Sequence, residues 1–362
     1  MNETHYTRRE TLKRLAGVAA LSGSTLTALS TVARAEKPPK IPLGFDNFSI
    51  RAFGWKANRL IDHAASRGVD SLLLSDLFVF ENYEEKTLKN IRDHARDKGI
   101  QLHVGTGGIC PTSSRVLKKF GSPQDHLRLL LRVAKTVGSP VARCYLGGAS
   151  DRKTPGGIDR HIDATVNVLR SVEKDAKDAG VKIAVENHAG DMQARELVRL
   201  IESAGKDYVG ATIDSGNATW TLEDPVRNLE ILGPYAVSSG IRDSMVWDEG
   251  DGIAVQWTAM GDGCVDLKRY VELFAKLCPG VPLQLEIISG ITKQFPVLTS
   301  EFWGPYDKVL ASDFAAFAAL ARKGKKLTTS RPKGKGEVTQ KYQMAQLDRS
   351  IDYCKRVLGL GR

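Results

Sequence analysis

From Pro42 onward the chain alternates short aliphatic runs with longer amphipathic segments. The runs Pro42–Ile50, Ser71–Leu77, Gln101–Gly105, Val141–Leu146, Lys182–Asn187, Val209–Asp214, Ala236–Ile241 and Pro282–Ile287 have the length and side-chain character of strands. Between them, Trp55–Arg67, Glu84–Lys98, Gln124–Val137, Ile158–Ala179, Ala194–Ala204, Pro225–Leu232 and Leu267–Leu277 read as helices, and another near Tyr306–Arg322 follows the eighth strand. Gly68, Gly99, Gly180 and Gly205 stand where helices must stop and strands begin, positions that favour a left-handed cap. Eight such units predict an α/β fold, a (β/α)8 TIM barrel in a single domain. A doubly wound open sheet would share the alternation, but no glycine-rich dinucleotide turn follows the first strand.

The two ends depart from this rhythm. Residues 1–35 carry a charged start with Arg8-Arg9, an apolar stretch from Leu15 to Val32, and Ala33-Arg34-Ala35 before an expected cut. The arginine pair followed by Leu12 and Lys13 resembles a twin-arginine export signal, implying the twin-arginine machinery as a partner and a periplasmic or extracellular address. Ser and Thr interrupt the apolar stretch, so no stable membrane anchor is expected. Residues 36–322 form the expected barrel. Residues 323–362 form a basic extension: a linker with Lys323, Lys325, Lys326, Arg331, Lys333 and Lys335, then a helix from Gln340 to Leu358 docking on the body or on a second subunit.

Charge follows the same division. The formal net charge of +10 is concentrated in the leader and the extension, which leaves a nearly neutral body and no expectation of a nucleic-acid groove there. The five cysteines are widely spaced without a CxxC pair, so neither a zinc knuckle nor a disulfide framework is expected.

Within the barrel, three carboxylates end three separate strands: Glu186 in KIAVENH, Asp214 in VGATIDSGN and Glu286 in PLQLEII. Parallel barrel strands aim their C-terminal ends at one face, so these acids can meet. Grouped buried carboxylates need a neutralising cation, and a divalent ion is the simplest one. His188 is a candidate ligand or substrate contact, and Arg143 a candidate substrate contact that faces Glu186 or another barrel acid. Arg242, Asp243, His103 and Trp257 complete the candidate substrate contacts, Trp257 lying with Trp220 and Trp247 in expected loops where rings could stack on a sugar.

The ordered motifs VENH, DSGNA, GIRDS, GDGCVD and LEII resemble the xylose isomerase-like barrel superfamily, in its sugar phosphate isomerase/epimerase branch. The resemblance implies a divalent ion, Mn, Mg, Zn or Co, held by Glu186, Asp214, a strand-seven histidine and Glu286. Gly240 stands at that histidine's position. Either His188, water or substrate oxygens complete the set, or Arg242 supplies the positive charge instead. The implied reaction is metal-assisted proton transfer alpha to a sugar carbonyl, with Glu186 and Glu286 as acid/base groups. A 3-keto-glycoside lyase and a non-catalytic sugar-binding barrel are the alternatives. A homo-oligomer is compatible with the chain.

Overall fold

Residues 40–334 and 336–362 are described by a computed structural model; the export-signal reading of residues 1–35 lies outside the described residues. Among the described residues there are eleven strands: β1 (Leu43–Asp46), β2 (Ser71–Leu74), β3 (Gln101–Gly108), β4 (Val141–Tyr145), β5 (Lys182–Glu186), β6 (Val209–Asp214), β7 (Ala236–Gly240), β8 (Asp243–Glu249), β9 (Gly252–Thr258), β10 (Leu283–Leu285) and β11 (Thr292–Phe295). The helices are α1 (Ala57–Ser66), α2 (Glu85–Asp97), α3 (Pro123–Val137), α4 (Gly157–Ser171), α5 (Glu173–Ala179), α6 (Ala194–Ala204), α7 (Ser215–Thr219), α8 (Pro225–Leu232), α9 (Leu267–Leu277), α10 (Ala311–Ala321) and α11 (Glu337–Arg356).

β1 to β7 run parallel in sequence order, and β10 adds to β1 in the register Leu43 to Leu283. The ring closes where Ile241, one residue past β7, bridges Leu285: its N–H donates to the Gln284 carbonyl at 2.6 Å and its carbonyl accepts from the Glu286 N–H at 3.0 Å. This is the expected (β/α)8 barrel. Closure also sets the site, because it lays Arg242 and Glu286 side by side.

Helices form where apolar residues recur on one face and stop at glycine. After α3, Gly138 takes φ +77° and donates its N–H to Ala134 and Lys135, a conformation a side chain would resist. Of the four glycines singled out in the sequence, Gly68, Gly99 and Gly180 lie near φ +60°, while Gly205 sits at +132° and ψ 104°, outside the left-handed helical region.

Several boundaries differ from expectation. The first strand ends at Asp46 and a 3-10 turn over Asn47–Phe53 replaces its second half. The single helix expected over Ile158–Ala179 breaks at Val172 into α4 and α5. Between β7 and α9 the expected loop is a hairpin: β8 and β9 pair antiparallel from Asp243 opposite Thr258, and β11 joins β9. Trp247 and Trp257 therefore sit on strands, which corrects their assignment to loops. The three-stranded sheet shares a second apolar cluster with α10, including Val246, Val255, Trp257, Phe295, Phe317 and Leu320.

The C-terminal helix docks on its own barrel. Leu347, Ile351 and Cys354 of α11 join the main core, each such burial contributing about 1.5–3 kcal/mol for a large aliphatic side chain. All five cysteines are free. Among the described residues, no helix is long and apolar enough to cross a membrane.

Candidate functional site

Glu186 and Asp214 end neighbouring strands, and Asn187 spaces them. Its side-chain amide donates to the Asp214 carbonyl at 2.8 Å and its oxygen accepts the Asp214 N–H at 2.9 Å, continuing the ladder beyond β5. The Asp214 carboxylate then caps α7 by accepting the Asn217 N–H at 2.7 Å. The Asn217 amide reaches across to Glu186 Oε1 at 3.1 Å. Glu286 enters from β10, and ligand atoms of Glu186, Asp214 and Glu286 all lie within 4.8 Å of one another. The sequence-predicted acids are thus brought together.

Two arginines serve the three acids. Arg143, at the middle of β4, donates from Nε to Glu186 Oε2 at 2.5 Å and from Nη1 to the Thr106 carbonyl at 3.0 Å. Arg242 donates from one nitrogen, Nη2, to both Asp214 Oδ2 and Glu286 Oε2, the latter at 3.0 Å. It is 1 % exposed, and its Nε and Nη1 have no hydrogen-bond partner among the described residues. The guanidinium lies over the Trp257 ring at 4.3 Å, and Trp257 stacks on Trp220 at 3.8 Å. The indole N–H of Trp257 donates to the Gly216 carbonyl at 2.9 Å, which fixes the ring.

A fourth acid, Asp46 at the end of β1, completes the cluster; it accepts from Ser75 Oγ at 2.5 Å and from the Phe48 N–H at 2.7 Å. Burial pushes Asp46 up to about 7, with the Glu286 charge adding to the shift. Burial likewise raises Asp214, to about 8, and raises Glu186 well above its ordinary value, Arg242 and Arg143 opposing only in part. Burial pushes Glu286 up too, but Arg242 and Arg143 together outweigh it and hold that carboxyl below its ordinary value. Four acids face two guanidiniums, so at neutral pH protons supply part of the remaining positive charge.

Glu286, alone of the trio, opens on a cavity of about 210 Å³ at the barrel mouth, with Arg143, His188, Tyr145, Asp76 and Arg115 in its wall. Glu186, Asp214 and Arg242 lie behind it. His188 stacks on Tyr145 with centroids 3.7 Å apart, and its Nδ1 is 2.7 Å from the Gly147 carbonyl. A ring nitrogen facing a carbonyl must carry the proton, so Nε2 is left as an acceptor. Burial and the Arg143 charge push His188 down to about 3, keeping the ring neutral. His188 is not part of the group of close ligand atoms.

The other expected contacts lie elsewhere. His103 is buried within the barrel, with Nδ1 3.3 Å from Ser238 Oγ. Asp243 accepts backbone N–H groups from Ser244, Gly261 and Gly263 and anchors the hairpin rather than lining the cavity. Trp257 supports Arg242 from behind. Asp46, Asn187 and Asn217 stand outside the expected site; Asp46 falls inside the expected first strand Pro42–Ile50 and only the structure puts it at a strand end.

The spacing of the three carboxylates suits a single ion, but the described side chains do not leave it a place. A Cβ on Gly240 would sit 3.1 Å from Glu286 Oε2 and 3.4 Å from Asp214 Oδ2, so a side chain there would aim between those two acids. Arg242 fills that interval. A dication within about 4 Å of the guanidinium would be repelled by about 8 kcal/mol at an effective dielectric of about 20, which offsets the attraction of one carboxylate at that distance.

An eight-stranded parallel barrel with an acid-lined mouth is the class of protein that fold and site define. The chain belongs to the xylose isomerase-like TIM barrel family, whose profile matches residues 56–296. It is 22% identical to 3-oxo-isoapionate decarboxylase of Pectobacterium atrosepticum over 230 residues, 60% of this chain and 76% of that protein. It is similar in fold to D-psicose 3-epimerase in the presence of D-fructose, with TM-score 0.57, 15% identity, and coverage of 88% of this chain and 100% of that one. An IolI protein with a bound zinc atom matches with TM-score 0.54 and 15% identity over 78% of this chain and 96% of that one.

Proposed function

We propose that the protein is an exported carbohydrate isomerase or epimerase that moves a proton at the carbon next to a sugar carbonyl. The observation that carries this reading is the position of Glu286: an acid held ionised by two arginines and open to a cavity of small-sugar size. Because Glu286 stays ionised at neutral pH it is free to accept a proton, and its buried neighbour Asp214 has the raised value of a proton donor.

In this reading Glu286 takes the proton from the carbon, and the electron pair of the broken C–H bond moves toward the carbonyl oxygen. The Arg143 guanidinium, in the same wall, faces the developing negative charge. His188 Nε2 accepts a substrate hydroxyl. Returning the proton to the neighbouring carbon, while the hydroxyl proton of the first carbon passes to the former carbonyl oxygen, completes an isomerisation; return to the same carbon from the other face is an epimerisation. The sugar relatives support the substrate class. Export rests on the leader sequence alone.

The test is incubation of the purified protein with a panel of keto- and aldo-sugars in deuterated water. Incorporation of deuterium beside the carbonyl is expected. Release of a substituent from a 3-keto-glycoside would mark the lyase instead, and no exchange across the panel would leave a sugar binder.

A further inference from the structure

We infer that the Arg242 guanidinium occupies the place a divalent ion would take between Asp214 and Glu286, so that, with Arg143 on Glu186, this barrel neutralises its acids with side chains and works without a metal. The inference rests on the trio being the working site, and it stands on the way the slot for that arginine is built.

Three features make the slot. Gly240 removes the side chain that would otherwise enter between Asp214 and Glu286. Gly216 removes a second: a Cβ there would lie 2.4 to 2.5 Å from Arg242 Cδ, Cγ and Nε, so only glycine lets the arginine lie flat. Trp257 closes the far side with its ring face, and Trp220 and the Lys293 ammonium, 4.7 Å from the Trp220 ring, continue the stack outward. A cation held between carboxylates on one side and an aromatic face on the other gains from both.

The backbone is fixed as firmly. Ser215 Oγ donates to the Arg242 carbonyl at 2.6 Å and accepts the Arg242 N–H at 3.0 Å. Ser215, the residue after β6, thus clamps the second residue after β7 at its backbone, and the guanidinium takes the position between the acids and Trp257. That position is bonded to Asp214 Oδ2 and Glu286 Oε2, while Arg143 holds Glu186 Oε2. Each acid of the trio already has an oxygen committed to a guanidinium.

The experiment uses the full chain, purified without chelator. Elemental analysis for Mn, Mg, Zn and Co is expected to find far less than one ion per chain, and neither Mn²⁺ nor EDTA is expected to move the melting temperature. One ion per chain, lost to EDTA with a fall in melting temperature, would overturn the inference. Arg242→Met keeps a stem to pack on Trp257 and removes the charge. This variant is expected to bind Mn²⁺ at least about tenfold more tightly than the wild type; binding no tighter would show that the guanidinium is not what excludes the ion. Should the variant fail to fold, the two wild-type measurements still decide. Deuterium exchange is read separately: its absence brings down the proposed reaction and leaves the metal result standing, whereas exchange that EDTA abolishes overturns metal independence alone.

Discussion

Asn187 and Asp214 exchange two hydrogen bonds, side chain to backbone, in the place where a strand pair would have made its next rung. The pairing couples the end of β5 to the end of β6 and so fixes the distance between two of the acids. Asn187→Ala would leave a buried N–H and a buried carbonyl without partners. Each orphan costs about 1–3 kcal/mol, so a loss of about 2–6 kcal/mol is expected by chemical denaturation.

Glu286→Gln keeps the shape of the cavity wall and removes the base. Deuterium incorporation into a reactive sugar should drop by about 10²–10⁴, the range usual for a lost general base. Circular dichroism should show the barrel retained. Exchange at wild-type rate would assign the base to another group.

Gly216→Ala tests the arginine slot from outside the charged set. The added methyl overlaps Arg242, so the side chain must move or the short helix α7 must shift. A loss of about 1–3 kcal/mol is expected for such overpacking, together with a change in tryptophan fluorescence as Arg242 leaves the Trp257 face. Unchanged emission and stability would show that the slot is looser than its geometry.

His103 predicts an acid limb in the stability curve. Burial pushes it down to about 4 from an unfolded value of 6.5. The unfolded chain therefore binds the extra proton first: the contribution is complete above pH 6.5 and is lost as pH falls through the folded value. The span corresponds to about 3 kcal/mol at most. His103→Gln should flatten the unfolding free energy between these pH values by about one proton. Because His126 is pushed down to about 4 by burial as well, some slope should persist in the variant.

The barrel was legible because its signals are local: aliphatic runs, glycine stops and acids at strand ends. The site was legible only where a residue's role depends on its own strand. Asp46 escaped because the first run was read through to Ile50, which buried the acid in mid-strand instead of at its end. Arg242 could be named but not placed, since its partners come from β6 and from the bridge of Ile241 to Leu285, more than forty residues apart in the chain. The hairpin β8–β9 was hidden because its tryptophans and glycines read equally well as loop. His188 took its orientation from Tyr145, a neighbour that only the β4–β5 register, with Tyr145 opposite Glu186, could reveal.

The seam between β1 and β10 also governs timing. Leu43 has no partner on its outer edge until Leu283 arrives, and the Gly361 N–H then ties back to the Ile41 carbonyl at 3.0 Å. During synthesis the first strand must wait, exposed on one side, until some 240 further residues have left the ribosome, a long-range closure of the kind that slows folding. The same seam brings Glu286 to its arginines, so the nascent chain has no complete acid cluster until its ring is shut.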